Sequence, residues 1–169
     1  MTIPSFVICI PARFESTRLP GKPLLLLKGK PLIQWAIESA NQLGAKEVIV
    51  ATDDQRIYDF VDSLGQKVLM TSKNHPSGTD RIAECAQIMK WTEDTLVLNY
   101  QGDEPFIPKE NIKAVLNLFS ELKNIRIGTL YQEIKDPQDI FNPNVVKIVT
   151  DNDNKALYFS RAPIPWSQE

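Results

Sequence analysis

The chain has 169 residues but a single histidine, His75, and only two cysteines, Cys9 and Cys85. One histidine argues against a zinc site of His and Cys ligands and against a Ser-His-Asp hydrolase, which needs its base there. Two cysteines, one in an expected strand and one in an expected helix, make no disulfide framework; both read as buried thiols of a reducing compartment. No apolar run approaches the roughly 18 residues of a membrane span, and the N-terminus lacks a basic segment followed by a long apolar stretch and a cleavage site. The chain therefore reads as soluble and cytoplasmic, with no membrane insertion. An excess of positive charge is missing too: 19 basic against 21 acidic residues and a pI near 5.5 leave no stripe to neutralise a nucleic-acid backbone. Any anion bound here must be met by a local cluster.

What is present is a regular alternation. "FVICI" (6–10), "EVIVA" (47–51), "KVLMT" (67–71) and "TLVLN" (95–99) read as strands buried on both faces, as parallel strands are. Apolar residues at helical spacing fall between and after them: Ile33, Ala36, Ile37, Ala40; Ile57, Phe60, Val61, Leu64; Ile82, Cys85, Ala86, Met89; Ile112, Val115, Leu116, Phe119. Pro31 and Pro108 suit first-turn positions, and Gly44 and Gly65 suit helix C-caps. The pattern predicts one domain: a three-layer α/β/α sandwich, Rossmann-like, with a mostly parallel central sheet and ligands beyond the carboxyl ends of its strands. After about residue 124 the pattern changes. "RIGTLYQEI" and "VVKIVTDNDNKALYFSR" have strand-like content, and Asp-Asn-Asp-Asn at 151–154 reads as a turn between antiparallel strands, giving a partial antiparallel subdomain. The chain stops at "APIPWSQE", just after an apolar stretch that would normally pack on something, so a truncated domain is expected.

Three stretches carry candidate chemistry. "PARFESTRLPGKPL" (11–24) follows the first strand. It is not a P-loop, since Pro23 follows Gly21-Lys22 and no glycine stands five residues before Gly21, and it is not a three-glycine dinucleotide fingerprint. Arg13, Arg18 and Lys22, with the hydroxyls of Ser16 and Thr17, sit on a proline-stiffened loop that can hold a polyphosphate, guanidinium forks pairing with its oxygens and lysine acting as a point charge. A solvated surface loop is the competing reading. "NYQGDEP" (99–105) presents Asp103 and Glu104 at the same sheet edge, after a glycine that permits close backbone approach. A carboxylate for Mg²⁺ opposite cations for phosphate suits a metal-nucleotide; equally, the two acids serve the start of the next helix. "HPSGTDR" (75–81) makes a capping-box-like helix start from Ser77 and Asp80, with Arg81 able to reach an anion. In "ATDD" (51–54), Asp53 or Asp54 reads as a helix cap rather than a ribose ligand. Arg161, a lone cation in "YFSRAPIPW", fits either a structural ion pair or a carboxylate-binding arginine.

Taken together and in order, "IPARFESTRLPGKPL", "VATDD", "HPSGTDR", "QGDEP", "FNPNVVKIV" and "ALYFSRAPIPW" resemble the motifs of the 3-deoxy-manno-octulosonate cytidylyltransferases, or CMP-Kdo synthetases, along essentially the whole chain. "STRLPGKPL" separates them from the sialic acid enzymes, whose first loop differs. Phe14, where tyrosine is common, and Tyr100, where an apolar residue is common, are minor departures. The larger one is length: the family continues for roughly half as many residues again, a region the resemblance implies carries a second metal-binding aspartate, further sugar contacts and much of a homodimer interface. The resemblance implies a nucleotide-diphospho-sugar transferase-like fold, with 1–123 the nucleotide-binding part and 124–169 the start of the sugar-binding and dimerisation part. It implies transfer of CMP from CTP to Kdo, releasing pyrophosphate, with Mg²⁺, for lipopolysaccharide synthesis in a Gram-negative bacterium. Arg13, Lys22 and Asp103 are then the expected catalytic residues, and Asp103 the metal ligand. Pro11, Ala12, Ser77 and Gly78 are expected at the cytosine, and Arg81, Gln101 and Arg161 at the sugar. A related acid sugar as acceptor, an amino-substituted Kdo or sialic acid, or a catalytically incomplete CTP-binding fragment are the alternative readings.

Overall fold

The structure, a computed structural model, describes residues 3–15, 19–122 and 124–166. It comprises two compact units, residues 1–128 and 129–169. In the first, the order is β1 (Phe6–Ala12), β2 (Leu26–Leu27), β3 (Lys30–Pro31), α1 (Leu32–Asn41), β4 (Val48–Thr52), α2 (Gln55–Ser63), β5 (Val68–Met70), α3 (Gly78–Ile88), β6 (Leu96–Asn99) and α4 (Lys109–Glu121). The four apolar runs form one parallel sheet in the order β5-β4-β1-β6, each within two residues of its expected limits. β2 and β3 make a small antiparallel hairpin ahead of α1.

The alternation of a strand explains the layering. Along β1, Phe6, Ile8, Ile10 and Ala12 join a core with Ile33, Ala36 and Ile37 of α1, Ile57 and Val61 of α2, and Ile112 and Leu116 of α4. Cys9, between them, faces the other way and packs with Ile49, Ala51 and α3 residues Ile82 and Cys85. Helices therefore cover both faces, and the three expected layers are present. Both cysteines are free and buried. The hydrogen bond shared with the Cys85 thiol, followed by burial, pushes the Cys9 thiol well above the usual range, so it carries no thiolate for chemistry.

Helix ends follow local chemistry. Asp54 caps α2, its carboxylate accepting from Arg56 N at 3.0 Å, and Ser77 caps α3 by accepting from Asp80 N at 3.2 Å. Pro31 and Pro108 stand at the cap positions of α1 and α4, one residue ahead of the expected first turn. Their fixed φ suits either place, and an extended ψ there leaves helix entry to the next residue.

The second unit holds a short 3₁₀ turn, Pro137–Ile140, and the hairpin of β7 (Lys147–Thr150) and β8 (Ala156–Ser160). The expected turn lies between these strands, where the Asp151 carboxylate accepts from the backbone N–H groups of Asp153 and Lys155. Lys147 is 6% exposed, and its ammonium donates to the carbonyls of Asn142, Val145 and Arg161, each at 2.8 Å. Three carbonyl partners compensate a buried cation that an apolar setting could not hold. "RIGTLYQEI" forms no strand, because β-branched content needs a ladder partner and no described strand pairs with it.

Ile49 is fully buried in β4 against α3. Its replacement by alanine should cost about 2–5 kcal/mol of unfolding free energy in urea titration with an unchanged m-value.

Candidate active site

β1, β4 and β5 proceed outward to one edge of the sheet, and β6 returns to the opposite side of β1. The order reverses between β1 and β6, where the loops leaving the two carboxyl ends diverge and leave a crevice. A cleft of about 780 Å³ opens there. Of the residues singled out from the sequence, Pro11, Ala12, Arg13, Lys22, Gly78, Arg81, Gln101 and Asp103 line it. Gly102, the glycine of the second loop, lines it too; Glu15, Leu19 and Pro23 also do and were not singled out as site residues, since nothing in their spacing marks them beyond membership of the first loop. Arg18, Ser16 and Thr17 lie outside the described residues.

The basic loop closes on itself. Gly21 N donates to the Phe14 carbonyl at 2.8 Å, and Gly21 adopts φ +70 directly over the Phe14 ring, where a β-carbon would come within 2.9 Å of Cζ. Only glycine meets both conditions. The Arg56 guanidinium covers the Phe14 ring at 3.3 Å and is itself held by the Asp54 carboxylate through Nε at 2.8 Å and Nη2 at 2.6 Å. From this base Lys22 enters a 3₁₀ turn, Lys22–Leu24, anchored by buried Pro23.

The second loop is tied down by Tyr100, a residue 1% exposed whose N–H donates to the Cys9 carbonyl and whose hydroxyl donates to the Pro105 carbonyl. Burial raises its phenol above the ordinary range, so it remains a neutral strut. Gln101 reaches Asn99 at 2.8 Å, and Asp103 projects into the cleft. Lys22 Nζ and Asp103 Oδ2 meet at 2.5 Å across the cleft, 81 positions apart in sequence. Their side chains are 37% and 45% exposed, so the pair contributes only about 0–1 kcal/mol to stability and a ligand of suitable charge can displace it.

The third stretch forms the remaining wall. Gly78 packs on Pro11, while Ser77 caps α3 and donates its hydroxyl to Asp80. Arg81 does reach an anion, but an internal one: its guanidinium is 1% exposed and bonds Asp53 at 2.5 Å. Asp53 is therefore committed to an arginine, and Asp54 is the helix cap. Arg161 lies in the second unit, donating to the Pro143 carbonyl at 2.7 Å. His75 pairs with Glu84, which also accepts from Ser72 N at 2.8 Å, binding the loop before α3 to the helix. Among the described residues no three His, Cys, Asp or Glu side chains cluster as a complete metal cage. No helix among them is long and apolar enough to cross a membrane.

The cleft at the switch point thus carries a cationic loop on one side and a carboxylate on the other. The family model for cytidylyltransferases matches residues 7–169, and the chain belongs to that family. Relatives named 3-deoxy-manno-octulosonate cytidylyltransferase from Methylococcus capsulatus and Idiomarina loihiensis are 52% and 53% identical over 97% and 98% of this chain. The chain spans just under two thirds of their length, 64% and 65%. A solved structure of CMP:2-keto-3-deoxy-manno-octonic acid synthetase complexed with CTP superposes with a TM-score of 0.82 at 39% identity, over 98% of this chain and 67% of that one. A cytidylyltransferase from Leptospira borgpetersenii, 23% identical with a TM-score of 0.58 over 71% of this chain and 51% of its own, shares the fold.

Contact with His75, followed by the Ser72 N–H, holds the Glu84 carboxyl below its ordinary value of 4.5. A depressed folded pKa gives stability that is complete above about pH 4.5 and lost as pH falls through the lower folded value. Glu84→Gln should therefore be less stable than wild type near neutrality, and the difference should shrink below pH 4.5 in thermal melts across that range.

Proposed function

We propose that this chain provides the nucleotide-binding and transfer site of an enzyme that moves CMP from CTP to 3-deoxy-D-manno-octulosonate, releasing pyrophosphate. The observation that carries this reading is the meeting of Lys22 and Asp103 at 2.5 Å in the cleft between β1 and β6. The names of its relatives supply the sugar.

In this reaction the anomeric hydroxyl oxygen of the sugar bonds to the α-phosphorus and loses its proton. The bond from that phosphorus to pyrophosphate breaks on the opposite side. Little covalent help is needed from protein, so positioning and charge neutralisation carry the rate. Arg13 and Lys22 are proposed to grip the triphosphate, their charge growing in value as negative charge moves onto the leaving group. Pro11, Ala12, Ser77 and Gly78 are proposed to border the cytosine. Gln101 and Arg161 are proposed on the sugar side, where a carboxylate suits an arginine fork; Arg81, also expected there, bonds Asp53 instead.

Mg²⁺ is the proposed cofactor, and the donor set fits it: magnesium takes one or two protein carboxylates and completes its octahedron with water and phosphate oxygens. Asp103, 45% exposed at the cleft, would be that ligand. When bound, the ion would polarise the α-phosphate. A homodimer and the pathway to lipopolysaccharide in a Gram-negative cytoplasm complete the proposal.

Pyrophosphate release from CTP, Mg²⁺ and Kdo tests the reading, with calorimetry against CTP separating binding from turnover. Turnover with a different acid sugar and none with Kdo would replace the substrate. Lys22→Ala should lower turnover by orders of magnitude while leaving the melting temperature nearly unchanged; a large fall in melting temperature would return the loop to a structural role. Asp103→Asn should abolish the response to Mg²⁺ in the same assay, and an unaltered metal titration would remove Asp103 as ligand.

A further inference from the structure

Asp53 does not line the cleft, yet it compensates the most deeply buried charge beside it. Arg81, 1% exposed, donates through Nη2 to Asp53 Oδ2 at 2.5 Å and through Nη1 to the Thr71 hydroxyl and, at 3.3 Å, to the Ser72 carbonyl. Thr71 is satisfied in turn: its hydroxyl and its N–H both donate to the Thr52 carbonyl, at 2.9 and 2.8 Å. This network ties together the end of β4, the residue following β5 and the first turn of α3. That same turn begins at Gly78, where a β-carbon would stand 3.4 Å from Pro11 Cγ.

We infer that Asp53 is a positioning residue for the nucleotide: acting through Arg81, it holds the Gly78 turn onto Pro11, so that the two form one continuous wall of the cleft. The inference rests on the reading of that wall as the border of the nucleobase. A guanidinium with almost no access to water needs a counter-charge. Without Asp53 it must turn toward the cleft or draw water inward, and either movement displaces the turn that carries Gly78. A wall displaced by a fraction of an ångström no longer discriminates one base edge from another.

The test is calorimetric titration of the protein with CTP and with UTP, each with Mg²⁺. Asp53→Asn should weaken CTP binding about tenfold, the scale on which loss of supporting partners acts, and reduce the preference for CTP over UTP. Thr71→Ser, which keeps the hydroxyl in the network, should retain both values. A purely structural Asp53 would lower the melting temperature and leave the CTP affinity and the CTP/UTP ratio of the folded protein unchanged, which overturns the inference. Should Asp53→Asn not fold, Thr71→Val removes only a neutral member of the network; a smaller shift in the same direction supports the inference, and no shift overturns it. A wild-type protein that binds neither nucleotide overturns the nucleotide reading and this inference with it. Wild-type binding beside an unchanged Asp53→Asn overturns the inference alone.

Discussion

The parallel ladder between β1 and β6, which pairs Phe6 through Cys9 with Leu96 through Asn99, is the contact on which the site depends. β4 and β5 extend the sheet away from β1 on its other side, so β6 can enter only by crossing back. That reversal brings together two loops far apart in the chain. Tyr100 continues the connection past the strand, its N–H on the Cys9 carbonyl and its hydroxyl on the Pro105 carbonyl. The carboxylate of Asp103 thus hangs from a loop anchored to β1 itself, and Lys22 comes from the loop that β1 begins.

Two ion pairs beside this cleft have opposite physical characters. Lys22 and Asp103 are substantially exposed, and such a pair is worth about 0–1 kcal/mol, little enough for a charged ligand to displace. Arg81 and Asp53 are 1% and 13% exposed, and removal of one partner from a buried pair typically costs about 3–5 kcal/mol because the other is left uncompensated. The first pair keeps two opposite charges near each other without committing them. The second, with Thr71 and Thr52, keeps a helix terminus in place. The Arg56 guanidinium over Phe14 has a comparable supporting part at the basic loop, and Asp54 is the carboxylate behind it. The adjacent aspartates at the end of β4 thus brace different walls of one cleft.

Much of this was legible in the chain. Four β-branched runs separated by stripes of helical period specify a parallel sheet with helices on both faces, because apolar residues on both sides of a strand require cover on both sides. The caps at Asp54 and Ser77 were readable because short polar side chains before a helical stripe satisfy free N–H groups. "RIGTLYQEI" misled, since strand content is a propensity and a strand is a pairing. Arg81 was readable as a cation in search of an anion; that the anion is Asp53 was not, because 28 positions separate them. Lys147 gave no signal at all, since a lysine that three carbonyls surround has the same one-letter code as a lysine in water.

The sequence by itself determined the layers, the candidate loops and the charge each loop carries, because hydrophobic period and local turn chemistry act over a few residues. Tertiary structure alone decided which charges meet. Lys22 faces Asp103 through strand order, and the Arg81 guanidinium is committed to Asp53 through burial beside it. Both outcomes depend on distances between segments that no local pattern encodes, and on whether water or protein surrounds the charge once the segments have met.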